Sequence, residues 1–516
     1  MKSFIGAVVG LMLLLGGPVV QAASVGYVPM DDRPVNLEYV VDTVRSAGTR
    51  IATPQQLDIA GREHSGNVPR LWEWVFEQAP ISDALVLSSD SLIYGGLVAS
   101  RTHFSTESEL QARVEKFREL KRRYPSLRLY VFGTVMRTPK MSAGATEPPY
   151  YEKVGPSIFR ITALEDKRET TGLSAAESAE LAGLVEKVPA ENLADWRARR
   201  AKNYRVNELM QQLAREGVFE YFLIGRDDSS PLSASHQESR HLEKSSAGID
   251  ASRYLSIPGA DNLGMSLVVQ SINDIEFRLP FVKVFYAPGV GSATIASYED
   301  HPLFDSVPQH ITVSGGVKLD WTDKPDLILA INTPANGVTR EANQPSNVTQ
   351  PNSAVREFVQ RVKTEVESGR RVAVGDVAFG NGSDNSLMTA LRQEELLDRL
   401  ASYSGWNTAG NTLGYAVGQG MLAEHTQDAL RQKLLAVRYL DDWAYQANIR
   451  GQLYEEVVYP AGNNGQWLNA LKPKVTKAAT TKIRQFAAEN LWPIPSENIW
   501  VEFPWNRMFE LGVHIR

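Results

Sequence analysis

The sequence predicts an α/β protein of parallel strands, arranged as a (β/α)8-like barrel. Three observations carry that expectation. Apolar runs at 24–28, 84–87, 127–132, 221–224, 253–257, 281–286, 326–331 and 371–374 are mostly short and continuous, as strands covered on both faces are. Helical periods separate them. Run after run then ends in polar residues or Gly: Met30-Asp31-Asp32-Arg33, Ser88-Ser89-Asp90-Ser91, Gly225-Arg226-Asp227-Asp228, Gly259-Ala260-Asp261-Asn262, Ile331-Asn332-Thr333 and Gly375-Asp376. The carboxyl ends of parallel strands converge on one face, where ligands bind. Two doubly wound lobes would give the same pattern; the barrel is preferred because the polar ends run through the whole series.

Taken in order, residues 1–22 read as an export signal. Lys2 supplies the positive start, 4–20 is almost unbroken apolar sequence, and Val20-Gln21-Ala22 offers a small-x-small cleavage pattern. The run is short for a span and carries Gly16-Gly17-Pro18, so cleavage is favoured over anchoring, with no membrane span afterwards. The expected location is periplasmic or secreted. Residues 23–414 form the barrel, with a helical insertion at about 139–207 that is too long for an ordinary connection. Thr106-x-x-Glu109 and Ser174-x-x-Glu177 are capping boxes that open helices. Further helices are expected at 191–215, 355–367 and 394–402, and 415–516 reads as a mostly helical C-terminal domain.

Composition narrows the chemistry. A net charge of −6, evenly mixed, argues against a nucleic-acid surface. With no Cys, disulfides, thiolate nucleophiles and Cys-ligated metals are excluded together. His236 and His241 are five apart, the wrong spacing for a helical metal pair, and no His-Glu-x-x-His or Gly-x-Ser-x-Gly occurs. Tyr94-Gly95-Gly96 permits close backbone approach, but no Gly-Lys-Ser/Thr follows to make a phosphate loop. No cofactor is expected. A carboxylate site for Mg²⁺, Mn²⁺ or Ca²⁺ built from Asp31, Asp90, Asp227 and Asp376 stays open.

Asp227 and Asp228 are the candidate catalytic pair. Adjacent carboxylates repel, so one holds its proton near neutral pH and can protonate a leaving oxygen while the other orients a neighbouring group. The competing reading makes Asp228-Ser229-Ser230-Pro231 the cap of a helix running through His236 and Arg240. Asp31, Asp32, Arg33, Asp90, Tyr94, Asp261, Asn262, Asn332, Asp376, Asn381 and Asp384 are candidate substrate-binding residues at the polar ends. Trp406, Asn407 and Asn411, in Gly405-Trp406-Asn407-Thr408-Ala409-Gly410-Asn411-Thr412, add an aromatic platform beside amides, suited to an uncharged polyol ring. The same stretch also reads as a tight, buried turn before a helix.

Pro29-Met30-Asp31-Asp32-Arg33-Pro34-Val35-Asn36, the Ser89-Asp90-Ser91-x-x-Tyr94-Gly95-Gly96 stretch, the segment from Gly405 to Gly414 and the closing Pro504-Trp505-Asn506-Arg507-x-Phe509-Glu510 resemble a bacterial family of unknown function, domain-of-unknown-function family 4127. The likeness spans nearly the whole mature chain and implies no reaction. Over about 20 residues, a strand ending in Asp227-Asp228 and followed by a helix is also similar to family 84 (O-GlcNAcase-like) hexosaminidases. That resemblance implies that Asp227 orients a 2-acetamido group and Asp228 is the acid/base. The expected function is an exported glycoside hydrolase acting on an envelope or extracellular glycan, N-acetylhexosamine-containing glycans among the candidates. Alternatives are a metal-dependent hydrolase using the clustered aspartates, and a non-catalytic carbohydrate-binding envelope protein. The expected partner is a glycan or other small polar substrate.

Overall fold

All of the expected apolar runs are strands in the computed structural model, which describes residues 23–141, 146–227 and 230–516. They are divided between two open sheets. In the first, β1 (Ser24–Val28), β2 (Arg50–Ala52), β3 (Ala84–Ser88), β4 (Arg128–Val135), β5 (Tyr221–Arg226) and β6 (Tyr254–Pro258) pair in parallel in the order β2-β1-β3-β4-β5-β6. In the second, β7 (Phe281–Tyr286), β8 (Val317–Lys318), β9 (Leu327–Asn332), β11 (Val372–Asp376) and β13 (Ser402–Ser404) pair in parallel in the order β8-β7-β9-β11-β13. Between β9 and β13, β10 (Arg340–Glu341) and β12 (Phe379–Gly380) make a small ladder of their own. Counted from its own first strand, each sheet starts 2-1-3-4-5. The winding repeats although the sequence does not.

This corrects the expected barrel, and two helices give the reason. Leu263–Ile275 is buried at each position from 263 to 273, and Ala409–Leu422 is buried along its full length. A helix on the outside of a barrel has one apolar stripe and one wet face; a helix apolar all round must be covered on every side. Here the Leu263 helix packs on β1, β3, β4 and β5, the Ala409 helix on β9, β11 and β13, and the two pack on each other. Gly414 and Gly418 make the approach close, since a Cβ at Gly414 would lie 2.4 Å from the Asn262 Cβ, and one at Gly418 2.7 Å from the Met265 Cγ. The expected boundary at 414/415 falls inside this helix.

The outer faces are covered conventionally. Val68–Gln78, Glu107–Arg123 and Ala190–Arg215 cover the first sheet; Ser353–Glu367 and Asn385–Gln393 cover the second. Both capping boxes form as expected. The insertion between β4 and β5 is helical, with its own cluster around Tyr151, Ile158, Leu164 and Trp196. Two expectations fail locally. Residues 394–402 do not form a helix, and β13 starts at Ser402. The helix after β5 is Ala234–Ser245, capped by the Ser233 hydroxyl accepting from the His236 amide at 3.1 Å, not by Asp228. Asp228 and the export stretch 1–22 lie outside the described residues.

The chain ends in an antiparallel hairpin of β14 (Ile499–Glu502) and β15 (Gly512–Ile515), packed with Lys472–Asn490 in a separate apolar cluster. Among the described residues no helix is long and apolar enough to cross a membrane.

Gly414→Ala is expected to destabilise the protein by about 1–3 kcal/mol, the usual range for overpacking. Urea unfolding measures this, and an unchanged midpoint would mean that the two central helices are not in tight contact.

Candidate functional site

At the carboxyl ends of both sheets lies a cavity of about 750 Å³, reached by Asp227 and Asp261 from the first sheet, Glu299, Asn381 and Asn407 from the second, and Trp505 from the closing hairpin. Its floor is an ion cluster. Arg33 donates from Nε to Asp31 at 3.0 and 3.1 Å, and from Nη1 and Nη2 to Asp261 at 3.1 and 2.5 Å. Asn36 bridges the same two carboxylates at 2.8 and 3.2 Å. The guanidinium lies over the Trp505 ring, 4.7 Å from its centre, and the Trp505 indole donates to Asp32 at 2.7 Å. Burial pushes Asp261 up to about 6 against the pull of Arg33, with Asp31 and Asp227 adding to the rise. Burial also raises Asp32 to about 6. Asp31 stands behind Arg33, away from the cavity wall.

A second charged group forms the wall. Arg101 pairs with Asp227 at 2.5 Å and with Glu147 at 3.3 Å; Arg137 donates to Glu147 at 2.7 and 2.5 Å. Against burial, Arg137 and Arg101 hold the Glu147 carboxyl below the usual range. Behind them Asp90 is buried, accepting from the Thr134 hydroxyl at 3.3 Å, with Oδ2 lacking a partner. Burial lifts it to about 7, opposed by Thr134 and Arg101. Arg226, beside Asp227, turns away to Asp300 at 3.1 Å and to Ser256.

Glu299 faces these groups from the other lobe. It is buried; Oε1 accepts from the Gly410 amide at 2.8 Å, while Oε2 has no partner. Burial raises it to about 8, the Gly410 bond opposing and Asp300 adding. A carboxyl at that value carries its proton at neutral pH.

The polar ends expected on one face fall into two groups, because two sheets have two sets of ends. Arg33, Asp227, Asp261, Asn381 and Asn407 reach the large cavity. Asn332, Asp376 and Asp384 gather elsewhere: Asn332 donates to Asp376 at 2.9 Å and to Asp384 at 3.1 Å, and Tyr403 donates to Asp376 at 2.9 Å. Asp384 also caps the helix that follows it. Four candidates are structural. Tyr94 is buried against His103; Asn262 packs under Gly414 and meets His310 at 3.3 Å. Trp406 is buried against Phe509 and is not a platform. The Asn411 Oδ1 accepts from the Ala260 and Asp261 amides at 3.2 and 3.0 Å and so ties the lobes together. Arg101, Glu147 and Glu299 are not marked by the sequence, since none stands at an apolar-to-polar strand end; Arg137 does follow β4, but the apolar run read at 127–132 stops short of it.

The proposed carboxylate metal set does not assemble. Asp31 and Asp227 are held by arginines, and Asp376 belongs to the other sheet. Among the described residues, the grouping within metal-binding reach is Glu38, Glu502 and His514, none of which lines the cavity.

Arg33→Met should cost roughly 3–5 kcal/mol by urea unfolding, because it leaves two buried carboxylates unpaired; a loss under about 1 kcal/mol would contradict the cluster. A carboxyl whose pKa rises on folding stabilises the fold below its unfolded pKa, and that contribution is lost as pH rises through the folded value. With Asp261, Asp90 and Glu299 at about 6, 7 and 8, the melting temperature is expected to fall as pH is raised from mildly acidic to mildly alkaline. Glu299→Gln should flatten the last part of that decline.

No match was found among curated proteins or among solved structures. A family model does match, over residues 25–514. The chain therefore belongs to the family described as protein of unknown function, DUF4127.

Proposed function

We propose that this chain is a glycoside hydrolase acting on an envelope or extracellular glycan, with Glu299 as general acid and Asp227 as the facing carboxylate. The observation that carries the reading is the contrast between two carboxyls in one cavity. Glu299 is proton-bearing with one oxygen unengaged; Asp227 is an ion pair with Arg101 at 2.5 Å. Glycosidic cleavage needs that asymmetry, an acid to protonate the leaving oxygen and a charged carboxylate to act as base, nucleophile or orienter. Asn381, Asn407 and Thr408 offer uncharged polar contacts, and Tyr298 and Phe509 offer apolar ring faces, as a sugar ring requires. The apolar stretch at 4–20 supports the reading of an exported chain and of a substrate outside the cytoplasm.

Asp228 remains the partner suggested by the hexosaminidase resemblance, in which case Asp227 orients an acetamido group. A second reading, a glycan-binding protein without turnover, is favoured by one observation: both Asp227 and Asp261 are already held by arginines.

The mature chain, 23–516, is to be assayed on aryl glycosides and peptidoglycan fragments, with and without EDTA. Glu299→Gln and Asp227→Asn should each lower kcat by roughly 10²–10⁴-fold. The wild-type rate should survive chelation and fall as pH passes about 8, as Glu299 loses its proton. Loss on chelation, or a full rate in Glu299→Gln, would defeat the assignment. Saturable glycan binding without turnover would select the binding protein.

A further inference from the structure

The second sheet has a crevice of its own. In an open sheet wound 2-1-3-4-5, ligands bind outside the carboxyl ends where the strand order reverses, between the first and third strands. In the first sheet that place, between β1 and β3, is filled by the chain itself. The Ser91 hydroxyl contacts the Pro29 and Met30 carbonyls at 2.6 and 3.1 Å, and a Cβ at Gly96 would collide with Ala60 at 2.2 Å. In the second sheet the equivalent place, between β7 and β9, is open. It is a pocket of about 310 Å³, lined by Ala287 after β7 and by Asn332 and Thr333 at the end of β9.

Its charged lining is one carboxylate and one guanidinium. Asp384 lines the pocket, but its two oxygens are engaged: Oδ1 accepts from the Ser386 amide at 2.8 Å, and Oδ2 from Asn332 at 3.1 Å. Arg340, also in the lining, has no acidic partner among the described residues. Ser353–Glu367 begins at the pocket, where Asn352 accepts the Val355 amide at 3.0 Å. The Ser353 and Ala354 amides have no partner among the described residues, and a helix start of this kind favours an oxyanion. A separate observation points to a ligand. Thr333 is 4% exposed, and its Oγ1 is buried with no hydrogen-bond partner. A buried hydroxyl left without a partner is costly, and a bound oxygen would satisfy it.

We propose that this crevice is a second ligand site for a small oxyanion, a phosphate or carboxylate group, held by Arg340, the Thr333 hydroxyl and the first amides of the Ser353 helix. The site is distinct from the large cavity and does not depend on the hydrolase reading. It holds the anion and carries out no covalent step.

The test is calorimetric titration of the mature chain, 23–516, with inorganic phosphate and, separately, with acetate. One-to-one saturable binding of either anion is expected at millimolar concentrations or below. Phosphate alone would identify a phosphoryl ligand, and acetate alone a carboxylate. Arg340→Gln and Thr333→Val should each weaken binding by about tenfold, the effect of losing one charge-assisted or buried hydrogen bond. Arg340 is exposed, so its variant keeps the test valid should Thr333→Val fail to fold. Arg137→Gln, in the large cavity, should bind as the wild type does. No saturable binding of either anion would overturn the proposal. So would binding that survives Arg340→Gln and disappears in Arg137→Gln.

Discussion

Everything in this molecule is hung on the contact between the Leu263 and Ala409 helices. Each belongs to a different sheet, and each is buried on every side, so neither lobe can cover its own inner helix. Their packing is therefore obligatory, and its closeness is set by the small residues Gly414 and Gly418 facing Asn262 and Met265. Burial of this kind is non-directional and would permit sliding. Asn411 adds direction by holding the Ala260 and Asp261 amides across the interface.

The cavity is a consequence of that contact. Asp261 immediately precedes one helix, and Asn407 and Thr408 precede the other, so bringing the helix starts together brings the two sets of strand ends face to face. Glu299 is then fixed by the Gly410 amide at the start of the Ala409 helix. The closing hairpin completes the enclosure: Trp505 bonds to Asp32, and Arg507 pairs with Glu510 beside Arg33. Residues more than 470 positions apart thus share one ion cluster. Shielding from water explains why acids here divide so sharply. Glu299, buried with no arginine paired to it, is lifted to about 8, whereas the Arg137 and Arg101 guanidinium groups hold the equally shielded Glu147 below the usual range.

Much of the site was legible as a type of residue at a type of place. An apolar strand ending in Asp or Asn puts a polar group on the ligand-binding edge whatever the sheet, and Arg33, Asp227, Asp261, Asn381 and Asn407 were found by that rule. Glu299 is not, because it stands in an irregular stretch well past the end of β7, and only burial makes it chemically distinctive. Trp406 misleads for the converse reason: an indole beside amides has the makings of a sugar platform, but Phe509 packs against it and it is buried.

The sequence by itself determined the strands, the capping boxes, the parallel α/β class and the polar edge, because these depend on neighbours within a few residues or on the period of apolar positions. The family, too, was written in short motifs. Only the tertiary structure decided that there are two sheets and not one barrel, and hence that the polar ends split between two pockets. Strand pairing is a choice among partners of nearly equal local merit. What breaks the tie is the need to cover two helices on all sides, and that is a property of the whole chain.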